Sequence, residues 1–260
     1  MNGPETTLHA TDESHKDGGS GHLLRWESPL EAVRRSLASG KRYPASLAIE
    51  TAAVAVGSIA AIRFLNVQSA LSFKWLIIPC LLVSAALLPT WLRGGEFPPV
   101  CRDGKHAAAS LVVVSVTCLC AIPAVFLGLW LMARMQWSIP LRPAVAGPGG
   151  WLTWLVYQFF YVAVAEEVFF RGYIQANVMK LIGEARPNWG PTGSYIAIVV
   201  SAGCFALAHV VVQGQITPLL TFLPGLIMAW LFTRTQSLLA PILFHGLANV
   251  SYGVIALSLM

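Results

Sequence analysis

Hydrophobic and polar positions along this chain fall into long apolar runs divided by short polar breaks. The runs lie near 45–65, 69–92, 107–133, 150–172, 193–213, 216–233 and 238–259. A helix needs about 20 apolar residues to cross a bilayer, and each run is close to or above that length. The breaks hold residues that stop helices: Arg93-Gly94-Gly95 with Pro98-Pro99, Gly147-Pro148-Gly149-Gly150, and Pro187 to Gly193. The pattern predicts an all-α, polytopic transmembrane helical bundle with about seven spans. It divides into a polar tail over 1–43, three N-terminal helices within 44–149, and a core of four helices over 150–260.

The tail differs from everything after it. Met1 to Gly21 is polar and poor in large apolar side chains, which predicts disorder. Leu23 to Ala38 has a weak helical pattern beside Arg34 and Arg35. That suits either a surface helix on lipid head groups or a loosely structured tail. No signal-peptide pattern precedes the first run, so direct membrane insertion is the expectation.

Composition excludes the common soluble classes. Of 260 residues, 56% are hydrophobic and only 11% charged, with a mean hydropathy of +0.65. Soluble domains carry about 25% charged residues. The net charge of +5 reads as basic cytoplasmic loops, with no nucleic-acid partner expected. With the N-terminus inside, ten Lys/Arg fall in inner connections and four in outer ones. A cytoplasmic N-terminus is therefore expected for this integral, multi-pass protein, in the plasma membrane or, in a bacterium, the inner membrane. Four of the five cysteines lie in apolar runs, and there is no CxxC, so thiol redox or thiolate–metal chemistry is not expected.

Ionisable groups in apolar spans are costly and mark candidate sites. In the first half the main one is Glu50, near enough to the start of its span to reach the interface. The second half holds Glu166, Glu167, Arg171, His209, His245 and Asn249. Glu167 and Arg171 are four apart and share a helix face. Glu166 points about 100° away and has no partner on its own helix, which suits a desolvated general base. His245 and Asn249 also share a face, and two such donors can hold an oxyanion. Each set taken singly serves equally well as helix–helix hydrogen bonding.

Chain lengths bring the sets together. The 17 residues from Glu166 to the turn rise about 25 Å, and the 18 residues from Pro191 to His209 rise about 27 Å. The two groups then face each other, and the last helix returns His245 to within about one or two turns of their level.

These residues carry a family resemblance. Glu166-Glu167-Val168-Phe169-Phe170-Arg171, Phe205-Ala206-Leu207-Ala208-His209 and His245-Gly246-Leu247-Ala248-Asn249 stand in order on successive predicted helices. Phe170-Arg171-Gly172 extends the first motif. The chain resembles the CPBP family (CAAX proteases and bacteriocin-processing enzymes, also called ABI) of glutamic-type intramembrane endopeptidases, over about residues 150–253. The resemblance implies a peptide hydrolase whose catalytic core is the last four spans. Glu166 with His209 would activate water, His245 and Asn249 would support the oxyanion, and Glu167 and Arg171 would be supporting residues. It implies a membrane-associated or lipidated protein or peptide as substrate, processed at a terminus or sorted. No cofactor is expected. A Glu with two His is also a zinc-type ligand set, which leaves a zinc enzyme as the alternative. A non-proteolytic scaffold or immunity protein, or a proton pathway, would use the same residue types. The closeness of His209 to the Gly214 connection puts the expected site nearer the outer face.

Overall fold

The structure, a computed structural model, describes residues 45–68, 73–136 and 150–259. The predicted tail, its candidate surface helix and the connection over 137–149 lie outside the described residues. Seven long helices follow in order: α1 Ser46–Val67, α2 Lys74–Leu92, α3 Gly104–Arg134, α4 Gly150–Ala185, α5 Pro191–Gln213, α6 Phe222–Thr235 and α7 Leu239–Leu259. There is no strand among the described residues. Six segments are long and apolar enough to cross a membrane: α1, α3, α4, α5, Thr217–Thr235 and Leu239–Ser258. Leu76–Leu92 in α2 is a shorter apolar helix. The expected all-α helical bundle is the observed architecture, with six helices of spanning length and a shorter apolar one where a seventh span was expected.

Local chemistry fixes the helix ends. Asp103 caps α3, its carboxylate accepting from the His106 backbone N–H at 2.8 Å. That bond holds the Asp103 carboxyl below its usual range. Pro191 opens α5, where its missing N–H costs nothing. Gly214 closes α5 at φ +66°, a left-handed turn suited to glycine. Beneath it Arg63 Nη1 of α1 donates to the Val212 carbonyl at 3.3 Å, placing a cation at the negative end of α5.

α4 is the central helix. Its 36 residues rise about 50 Å, well beyond the hydrocarbon core. From Val168 to Gln175 every residue is buried. Arg171 Nη2 donates to the Gly225 carbonyl at 3.1 Å, and Gln175 Nε2 to the Ala229 carbonyl at 2.9 Å. Four residues on α4 thus match four on α6, so the two helices run parallel. Ser201 of α5 donates to the Phe170 carbonyl at 3.1 Å. The outer helices are apolar on their open faces, as a lipid environment requires. α3 buries only Ser110 and Val114, while Leu119 is 75% exposed.

The α2–α3 connection straps the first helices to the rest. The Pro99 and Val100 carbonyls accept from Leu238 N at 3.1 Å and Leu239 N at 2.9 Å, at the start of α7. Ser237 Oγ also donates to Val100 O. The Phe97 ring lies against Gly172 of α4, where an added Cβ would come within 2.4 Å of Cζ.

Glu50 does not simply reach for the interface. Its Oε1 accepts from the Tyr173 hydroxyl at 2.9 Å and pairs with Arg93 Nε at 3.3 Å. One turn along, Asn177 Nδ2 donates to Thr51 Oγ1 at 3.2 Å. These contacts tie α1 and α2 to α4 through polar groups.

Candidate active site

Two π-helical segments, Tyr157–Ala163 and Val168–Gln175, interrupt α4 on either side of Val164–Glu167. Insertions of this kind widen a helix turn and recur at functional sites. Between them Glu166 and Glu167 project towards different neighbours.

Glu167 is fully buried and faces inward. Its Oε1 accepts from Arg171 Nη1 at 2.9 Å and from His245 Nδ1 at 2.7 Å. Arg171 is equally buried, and its guanidinium lies 4.7 Å from the Phe205 ring centre. Phe205 also packs on the imidazoles of His209 and His245, at centroid distances of 4.4 Å and 5.8 Å. One aromatic ring therefore sets the position of three polar groups.

Glu166 faces the two histidines. Its Oε2 lies 3.9 Å from His209 Nε2 and 3.8 Å from His245 Nε2. These are too long for direct hydrogen bonds. Each imidazole has its other nitrogen engaged. His209 Nδ1 donates to the Phe205 carbonyl at 2.9 Å, and His245 Nδ1 donates to Glu167. With Nδ1 donating, a neutral ring turns a bare Nε2 acceptor to the carboxylate oxygen, and an imidazolium turns an N–H donor to it. That oxygen is buried and makes no hydrogen bond to protein. A water between these groups can donate to two of them and accept from a third where that ring is an imidazolium.

Of the residues singled out from sequence, Glu166, His209 and His245 converge, with Glu167 and Arg171 directly behind them. Asn249 lies one turn along α7 from His245, and its Nδ2 donates to Gln158 Oε1 at 3.1 Å. Gln158 was not anticipated. Its signal was a lone carboxamide in the apolar first half of α4. The expected nearness to the outer face does not follow from these positions. His209 is four residues from the end of α5, but His245 is six from the start of α7, about 9 Å along the helix from its opposite end.

Glu166, His209 and His245 are the residues that could hold a metal. The residue types suit zinc. Zinc bonds of about 2.1 Å imply ligand edges of about 3.4 Å, and the two Glu166–histidine edges are 3.9 Å and 3.8 Å. Among the described residues no cluster of three or more His, Cys, Asp or Glu has metal-holding geometry.

The same stretch of chain is what known sequences share. Residues 148–251 match a family described as type II CAAX prenyl endopeptidase Rce1-like. Over this segment, less than half of the chain, the sequence is similar to the Rce1-like family. No curated protein and no solved structure matches the chain. The Rce1-like segment takes in all of α4, α5 and α6 and most of α7, and contains the three motifs with Gln158. It leaves α1–α3 without a counterpart. At family level the Rce1-like match supports an intramembrane endopeptidase, and the apolar helices make it an integral multi-pass membrane protein.

Proposed function

We propose that this chain is a glutamic-type intramembrane endopeptidase that hydrolyses a peptide bond with water held by Glu166, His209 and His245. The observation that carries the reading is the approach of Glu166 Oε2 to two imidazole Nε2 atoms whose Nδ1 atoms are already engaged.

Glu166 takes a proton from the bound water, aided by His209. The hydroxide attacks the peptide carbonyl carbon, and its oxygen becomes an oxyanion. Asn249 Nδ2–H is one donor to that oxyanion. His245 is the other, as an imidazolium that keeps its Nε2 proton throughout, with Glu167 as counter-ion on Nδ1. Glu166 then gives its proton to the leaving amine as the C–N bond breaks. Every step uses protein groups and water; none passes through a metal or other cofactor.

The substrate class is a membrane-associated peptide or protein tail. The family's description makes a prenylated CAAX-type C-terminus the first to try. The excess of basic residues in the connections that would then lie inside favours a cytoplasmic N-terminus.

The test compares terminal peptides of membrane proteins between wild-type cells and cells carrying Glu166→Ala. A small set of tails cut only in wild type is expected. Purified Glu166→Ala that still cleaves would overturn the assignment. A stable Glu166→Ala strain with an unchanged terminal-peptide profile, and purified wild type that leaves a prenylated CAAX peptide intact, would favour a non-proteolytic scaffold.

A further inference from the structure

Gln158 and Glu167 are nine residues apart on α4, yet both meet α7. Gln158 Oε1 takes the Asn249 amide, and Glu167 Oε1 takes His245 Nδ1. Nine residues of regular α-helix turn about 900°, which would put the two side chains on opposite faces. On α7, His245 and Asn249 are four apart and share a face. Gln158 lies inside the π segment Tyr157–Ala163, whose wider turn reduces that offset. Gly246 belongs to the same junction. It lets the Phe159 ring against α7, since a Cβ there would fall within 2.4 Å of that ring.

We propose that Gln158 is a positioning residue for the oxyanion donor: its Oε1 holds one hydrogen of the Asn249 amide, leaving the other free for substrate. This rests on the hydrolytic reading above. An unrestrained Asn amide can rotate and present its oxygen, which would repel an oxyanion. An acceptor fixed on one Nδ2 hydrogen prevents that. Gln158 acts through Asn249, so its loss should lower kcat and leave KM almost unchanged.

The test uses the full chain in proteoliposomes with an internally quenched, prenylated CAAX-type peptide. Gln158→Leu should lower kcat by about tenfold to a hundredfold, less than the loss of a direct oxyanion donor, with KM within about twofold. Gln158→Glu keeps the acceptor and removes the donor, so it should retain most of kcat. In an Asn249→Ala background, Gln158→Leu should have no further effect. An unchanged kcat in Gln158→Leu, an undiminished effect without Asn249, or equal failure of Gln158→Glu in a folded chain would each overturn the proposal. If Gln158→Leu does not elute as a single folded species, Gln158→Met takes its place. Cleavage surviving in Glu166→Gln, or a wild type that leaves the peptide intact, counts against the functional reading instead. The Gln158–Asn249 bond is then read from thermal midpoints. Non-additive shifts in the double variant are expected, and additive ones overturn it.

Discussion

His245 Nδ1 lies 2.7 Å from Glu167 Oε1, the same oxygen that Arg171 Nη1 meets at 2.9 Å. One carboxylate oxygen thereby joins a structural ion pair to a residue of the candidate site. Orientation passes from the Gly225 carbonyl through Arg171 and Glu167 to the imidazole that faces Glu166.

Glu167→Ala should destabilise the protein by about 3–5 kcal/mol, because it strands a fully buried guanidinium. Thermal unfolding in detergent measures this. Glu167→Gln keeps an acceptor and should fold, but it removes the counter-ion of His245 and should lower kcat. A Glu167→Ala chain as stable as wild type would show that Arg171 is solvated by other groups.

The glycines at two ring contacts should differ in cost. At Gly246 a Cβ meets three Phe159 ring atoms within 2.7 Å, between two packed helices. At Gly172 the ring belongs to Phe97, on the α2–α3 connection rather than on a packed helix. Gly172→Ala should therefore cost about 1 kcal/mol and Gly246→Ala nearer 3 kcal/mol, within the usual range for overpacking. Phe159→Leu should restore part of the Gly246→Ala loss. The reverse order of melting temperatures would contradict the packing account.

Prolonged dialysis against a chelator should leave the cleavage rate unchanged, because the proposed water is held by Glu166, His209 and His245 themselves. A rate that falls on dialysis and returns with added zinc would assign those three residues to a metal centre.

Tyr173→Phe should lower stability by about 1.5 kcal/mol, the loss of one hydrogen bond to a charged group. It should leave kcat as it is, since Tyr173 serves the Glu50–Arg93 pair. A matching fall in kcat would mean that this second polar cluster communicates with Glu166.

What could be read from sequence was whatever depends on short-range periodicity. Long apolar runs marked the helices, because a bilayer forces nearly every lipid-facing side chain to be apolar. Glu167 with Arg171 was legible from its spacing of four, and the convergence of Glu166 with His209 from the helical rise between them. The π segments were not legible. Tyr157 to Ala163 reads as ordinary apolar helix, which would set Gln158 opposite Glu167. Contacts across great chain separations were equally hidden. Glu50 meets Tyr173 from 123 positions away, and Gly172 owes its small size to Phe97 in another connection. Asn249 was grouped with His245 by its spacing of four, and its hydrogen-bond partner lies on α4.

The strap at Phe97–Val100 bears on where this protein can be cut. Family similarity begins at residue 148, yet a fragment starting there would lack the ring that fills the space beside Gly172. It would also lack the carbonyls that take the first N–H groups of α7, the helix that carries His245. The smallest autonomous unit is thus expected to be longer than the matched segment. The three helices outside the match are as much a part of the frame as the four that hold the motifs.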